Sequence, residues 1–323
     1  MWFNFVLNNH GPIEICDELS PLTDYFRGAL SRCGHETTVV YDNIYENAIN
    51  IYFEYFEGED FRRKLIDFRK SHDIKIGVVA TELMVGGTIP YGKTGIVYRD
   101  GPPRDDALPR RIAGFNEVAA NVDFVWSILE RTAAEYRSIA KSSEFFPVGH
   151  VSDIPSGTLN APKDIDVVFF GTLTPHRNAA LTAMVNRGLK VLPVGRGFPM
   201  GHLPRSLLLS LLDRAKIGVN LTLATDTDTP GIDPRFTSCM RIKEMLDREI
   251  CVVSEIIPLD NPYAEFMVCA PVSHLAETCR TLLDGGQWRE TGRAQAAAFR
   301  GRMDVADVCG PVIDRTLAAL KRG

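Results

Sequence analysis

Two patterns of hydrophobic positions take turns along the chain. Short apolar runs read as buried strands at Trp2–Leu7, Thr37–Tyr41, Asn50–Phe53, Ile74–Ala80, Asp123–Trp126 and Glu144–Val148. Between them, apolar residues recur at helical spacing. Pro21–Cys33 carries Leu22, Tyr25, Phe26, Ala29 and Leu30 on one face and stops at Gly34. Asp60–Lys70 carries Phe61, Leu65 and Phe68, and Arg111–Ala120 and Glu130–Ala140 also read as helices. Val151–Lys163 is rich in Ser, Pro, Gly and Asp and reads as a linker. The alternation then resumes. Strands are predicted at Val167–Phe170, Lys190–Val194, Ile217–Leu221 and Ile250–Ser254. Helices are predicted at Pro175–Arg187, Arg205–Asp213, Ser238–Asp247, Ser273–Leu283, Gln287–Arg300 and Val305–Lys321. Strands alternating with helices predict parallel sheets covered on both faces. Ligands of such sheets sit at the carboxyl ends of the strands.

The segment Asp166–Arg177, DVVFFGTLTPHR, concentrates that expectation. A buried run turns at Gly171 and Thr172 and enters a helix at Pro175, so free backbone N–H groups collect there. His176 and Arg177 stand in the first turn, where an anion would be held. A guanidinium at that place binds phosphate bidentately; equally, Arg177 is a solvated arginine on a surface helix. Each further candidate has a second reading of this kind. His10 follows the first strand and precedes Gly11, as a proton acceptor or as a turn histidine. Glu82 ends the Ile74–Ala80 strand region, as a base or as a cap. Arg241 and Glu244 share a helix face, as an ordinary ion pair or with Glu244 accepting two ribose hydroxyls. Ser238 heads that helix and would supply cap or phosphate contacts. Asp226 and Asp228 in TDTDT are a metal-binding D-x-D or solvated turn residues.

Composition narrows the class. The chain has 323 residues, enough for two α/β domains, with 45% hydrophobic and 24% charged residues. A formal net charge of −5 argues against a general nucleic-acid binder. Seven scattered cysteines without a C-x-x-C pair fit reduced thiols rather than a disulfide frame or zinc site. The N-terminus lacks a basic stretch with a long apolar run, and no run approaches the roughly 20 apolar residues that span a bilayer. The expectation is a cytoplasmic protein, with peripheral membrane contact left open. G-x-G-x-x-G after the first strand, a P-loop, G-x-S-x-G and H-E-x-x-H are all absent from the sequence.

From Asp166 to Glu255 the order DVVFFGTLTPHRNAAL, GLKVLPVG, LLDRAKIGVNLTL, RIKEMLDREICVVSE resembles the nucleotide-sugar domain of GT-B glycosyltransferases, nearest to bacterial members of the family 1/4 type. In the first half the likeness rests on ATE at Ala80–Glu82 and IAGFNEVAANVDFVWSILE. The resemblance implies two Rossmann-like domains facing a cleft: an acceptor domain at 1–153, a donor domain at 154–304, and a helix at 305–323 crossing back to the first. It implies that Gly171, Thr172 and Arg177 grip a diphosphate, that Glu244 takes the ribose, that Ser238 and Cys239 face the phosphates, and that Gly195 and Arg196 lie where the base is held. Phe236 replaces the first glutamate of the family's E-x7-E, with Asp228 or Asp233 as stand-ins, and Thr172 replaces one of two basic residues. The implied reaction is metal-independent glycosyl transfer, without a cofactor, from a nucleotide-diphosphate sugar to a hydroxyl acceptor: glycan, lipid-linked glycan, protein or small molecule. His10 or Glu82 would be its base. A nucleotide-sugar epimerase on the same fold and an inactive binding module are the alternatives.

Overall fold

The structure is a computed structural model. It describes residues 1–7, 13–54, 56, 58–84, 86–87, 107–151, 162–223, 239–258 and 261–322, with backbone alone at 13–20, 107, 108 and 111. The chain forms two compact units. One contains the described residues of Met1–Ile89, Arg104–Asp153 and Asp304–Gly323; the other contains those of Ile154–Met303.

The first unit alternates β1 (Trp2–Leu7), α1 (Ile13–Arg32), β2 (Glu36–Tyr41), β3 (Ile49–Phe53), α2 (Glu59–Ser71), β4 (Lys75–Ala80), α3 (Ala107–Ala119), β5 (Phe124–Ser127), α4 (Glu130–Tyr136) and β6 (Ser143–Phe145). All pairings are parallel, in the order β2-β1-β3-β4-β5-β6. Aromatic side chains fill the core: Phe26 stacks on Trp126 at 6.2 Å and meets Phe146 at 4.7 Å. A buried polar ladder crosses three strands at one register. Thr38 Oγ1 donates to Asn4 Oδ1 (2.8 Å), and Asn4 Nδ2 donates to Asn50 Oδ1 (3.0 Å). Such a ladder fixes register because a slip would strand these groups without partners.

The second unit alternates β7 (Ile165–Phe170), α5 (Pro175–Asn186), β8 (Val191–Val194), α6 (Arg205–Asp213), β9 (Ala215–Asn220), α7 (Cys239–Asp247), β10 (Cys251–Glu255), β11 (Val268–Ala270), α8 (Leu275–Asp284) and α9 (Trp288–Arg302). Its parallel sheet has the order β11-β10-β9-β7-β8. The connections reverse direction between β7 and β9, so the crevice at their carboxyl ends is the topological switch point, where open α/β sheets bind ligands.

The last helix, α10 (Val305–Leu320), belongs to the first unit and packs on α1 and β6. Trp126 Nε1 donates to Thr316 Oγ1 (2.9 Å), and the Tyr25 hydroxyl lies 3.4 Å from Cys309 Sγ.

Some boundaries differ from the sequence reading. Helix α1 begins at Ile13, eight residues before Pro21, which lies inside it. Proline there read as a helix start because it removes an N–H and disfavours a preceding helical residue. Strand β6 is Ser143–Phe145 rather than Glu144–Val148, and β11 carried no pattern, being three residues long. Among the described residues, no helix is long and apolar enough to cross a membrane. The six described cysteines are free, and burial pushes the thiols of Cys239, Cys251, Cys279 and Cys309 up to about 12.

Thr316→Val keeps the shape of the side chain but leaves the buried Trp126 N–H without an acceptor. Urea denaturation is expected to show a loss of about 1–3 kcal/mol, and an unchanged midpoint would refute the role of this bond in seating α10.

Candidate functional site

Strand β7 buries Val167, Val168 and Phe169 and then breaks at Gly171, whose φ is +149°. Gly171 N donates to Val194 O (2.9 Å), and Leu173 N donates to Arg196 O (2.8 Å), so the turn after β7 is tied to the end of β8. Gly195, at φ +124°, faces the Gly171 carbonyl so closely that a Cβ would collide with it. Thr174 then caps α5: its Oγ1 accepts from Arg177 N (3.3 Å), with Pro175 at the first position. Pro175 has no N–H to offer, so the His176 N–H is the donor of this turn that meets no acceptor among the described residues.

Two guanidinium groups lie beneath this turn. Arg177 is only 4% exposed and Arg241 only 7%, which removes the reading of Arg177 as a solvated surface arginine. Arg177 donates from Nε to Thr222 O (2.9 Å), from Nη1 to Thr172 O (2.7 Å) and from Nη2 to Leu221 O (3.0 Å). Arg241, from α7, donates from Nε to Phe170 O (2.7 Å) and from Nη1 to Asn220 Oδ1 and Leu221 O, both at 3.2 Å. Both guanidiniums lie over the Phe169 ring, at 5.3 and 5.1 Å from its centroid. Burial pulls Arg241 down to about 10, against the opposing charge of Glu255, and it remains a cation at neutral pH. Its Nη2 has no acceptor among the described residues and points at Gly171, where a Cβ would sit 2.6 Å away.

Glu255 ends β10 and is 2% exposed. One oxygen accepts from the Thr222 N–H, and the other lies 2.9 Å from His176 Nε2. Burial alone would raise its carboxyl, but the hydrogen bonds from His176 and Thr222 outweigh that and hold it below the usual 4.5.

The structure thus brings Gly171, Thr172, His176, Arg177, Gly195, Arg196 and Arg241 together at the carboxyl ends of β7, β8 and β9. Glu244 does not form the helical ion pair with Arg241 that the i, i+3 spacing offered. It is buried, with Oε1 on Arg205 Nη2 (2.8 Å) and Oε2 on Arg248 Nη1 (3.1 Å). Arg241 instead spends its donors on strand-end carbonyls, which i, i+3 spacing does not reveal. Cys239 opens α7 with a buried thiol. Glu82 lies in the first unit after β4, where its carbonyl accepts from Thr132 Oγ1 (2.8 Å). His10, Ser238, Phe236, Asp226, Asp228 and Asp233 lie outside the described residues.

The sequence reading missed Glu255, Asn220, Thr222 and Arg205. Glu255 was within reach: it is the polar residue closing CVVSE, as Glu82 closes the earlier run, but the strand was ended at Ser254.

No family model matches the chain, and no curated protein matches it in sequence. Solved structures do match. WaaG, described as a glycosyltransferase involved in lipopolysaccharide biosynthesis, aligns over 97% of this chain and 99% of its own at 12% identity, TM-score 0.56. A T4 phage BGT mutant in complex with UDP-glucose aligns over 100% and 98% at 11% identity, TM-score 0.54. TarM aligns over 85% of this chain at 11% identity, TM-score 0.53, and the chain spans about 55% of that longer protein. The chain has the GT-B fold of these glycosyltransferases.

Two outcomes check this geometry. Gly195→Ala combines an unfavourable φ with a collision against the Gly171 carbonyl, and is expected to cost about 1–3 kcal/mol in chemical denaturation. Because the Glu255 carboxyl is depressed, its contribution to stability is complete above the pKa of an unfolded glutamate and is lost as pH falls through the lower folded value. Glu255→Gln should therefore flatten the acid limb of the Tm–pH curve below about pH 4.5; an acid limb identical to wild type would exclude the arrangement.

Proposed function

We propose that the chain transfers a sugar from a nucleotide-diphosphate donor to a hydroxyl acceptor, with the donor diphosphate on the switch point of the second unit. The observation that carries this reading is the buried Arg241 guanidinium, whose Nη2 has no acceptor among the described residues and is aimed at the Gly171 turn. It lies where the α5 N-terminus offers the His176 N–H and where Arg177 adds a second buried cation. An anion there meets fixed donors that need little reorganisation. The T4 phage BGT mutant that shares the fold is complexed with UDP-glucose, which supports the same class of donor.

In this reading the bond from the anomeric carbon to the diphosphate breaks as the acceptor oxygen bonds that carbon. Negative charge grows on the departing diphosphate, and Arg241, Arg177 and the helix N-termini stabilise it without a metal ion. Arg177 acts mainly by holding the Thr172, Leu221 and Thr222 carbonyls away from the phosphates. Glu244 has two carboxylate lone-pair directions beyond those used by Arg205 and Arg248, enough for two ribose hydroxyls. Gly195 and Arg196 border the place for the base. The acceptor is taken by the first unit, and His10 or Glu82 receives its proton if the reaction inverts the anomeric centre.

A thermal-shift panel of nucleotides and nucleotide sugars tests this. A true donor at 100 times its Kd adds about 2.7 kcal/mol of stability. Arg241→Lys keeps a cation but loses the fork, and is expected to weaken donor binding about ten- to hundredfold, the worth of one charge-assisted hydrogen bond. Release of nucleotide from the donor should persist in a chelator. A wild-type protein that neither binds nor turns over any member of the panel sinks the reading.

A further inference from the structure

We infer that His176 is a proton-switched ligand of the donor diphosphate and that Glu255 is the positioning residue that sets it. This rests on the donor site proposed above. The imidazole is partly exposed, at 15% of its side chain, and anchored by one nitrogen only. The Glu255 carboxylate accepts at 2.9 Å, so Nε2 carries the proton. Nδ1 then has no partner among the described residues. In the neutral ring Nδ1 is a lone pair and repels a phosphate oxygen; in the imidazolium it is a donor and attracts one. The same residue contributes the backbone N–H at the second position of α5, which meets no acceptor among the described residues. Ring and backbone thus stand on one turn, which follows the Gly171 that Arg241 Nη2 faces.

Glu255 cannot turn away. It is buried, and its second oxygen is tied to the Thr222 N–H. Among the described residues, the charged groups at this point are Glu255 from β10, on the ring itself, Arg241 from α7, which feels the Glu255 charge, and Arg177 next to His176 on α5. A bound diphosphate brings negative charge next to the ring and tips the balance toward the imidazolium. One proton then enters from solvent to Nδ1 as the donor binds, and it leaves as the diphosphate leaves. His176 thereby supplies, on demand, a positive charge beside Thr172, which is itself uncharged.

The experiment is calorimetric titration from pH 5.5 to 8.5 with the tightest binder among UDP-glucose, ADP-glucose and GDP-mannose, whose phosphates do not titrate in this range. Two buffers of different ionisation enthalpy report proton uptake. Wild-type affinity is expected to fall by up to about tenfold per pH unit on the alkaline side, with uptake of up to one proton. His176→Gln should bind with a flat profile at the wild type's weak alkaline level, and His176→Lys with a flat profile at the tighter level. Glu255→Gln removes the negative charge and keeps an acceptor for only one of Thr222 and His176, and should move the transition to lower pH; circular dichroism checks its fold. A wild-type profile that is flat, or a His176→Gln protein that keeps the wild-type slope, overturns this inference while leaving the donor site standing. Failure of every donor to bind at every pH overturns both.

Discussion

The second unit depends on how the carbonyl ends of two adjacent strands are satisfied. Where β7 and β9 stop, their carbonyls and those of the following residues point into a crevice instead of a ladder. Two buried guanidiniums cap them: Arg177 takes Thr172, Leu221 and Thr222, and Arg241 takes Phe170 and Leu221. Buried carbonyls without donors are costly, and buried cations without acceptors more so. Each solves the other's problem. The outcome is a strand edge whose negative dipole ends are covered and whose net local charge is positive, the reverse of what bare carbonyls would present to a phosphate.

The surrounding sequence follows from that arrangement. Gly171 cannot carry a side chain because Arg241 occupies the space, and Gly195 cannot because the Gly171 carbonyl does. Phe169 must be flat and aromatic to lie under both cations. Glu255 offsets part of the buried positive charge from the end of β10. Farther along α7, Glu244, Arg205, Arg248 and Asp213 form a second ionic group, and Lys243 pairs with Asp247 at 2.6 Å. Helix α7 therefore has charged residues buried over most of its length. Such an element is oriented by paired charges, whose separation would leave an uncompensated ion in the interior.

Much of the architecture was legible because strand and helix periods differ. The run VVFF, the break at Gly171 and Pro175, and the alternation of nine further strands with helices follow from local pattern alone. Legibility failed where local rules are overridden. Pro21 lies inside α1 rather than at its start. The three residues of β11 are too few to show a period. Among chemical groups, Arg177 stood out through its place in a strand–turn–helix, yet it is buried, and two of its three carbonyl partners, Leu221 and Thr222, follow β9 some 44 residues distant in sequence.

What the sequence by itself determined was the parallel α/β class, the anion-prone turn at Gly171–Arg177 and the helical stretch from Val305 onward. These depend on neighbours within a few positions, where spacing carries the information. Only the tertiary structure decided which charges meet. It gave Arg241 to the β7 and β9 carbonyls rather than to Glu244, gave Glu244 to Arg205 and Arg248, and set Glu255 against His176 across 79 positions of chain. Charges on one helix face have several partners within reach, and the choice among them is made by burial: the pairing that survives is the one that leaves fewest polar groups without a partner once water is excluded.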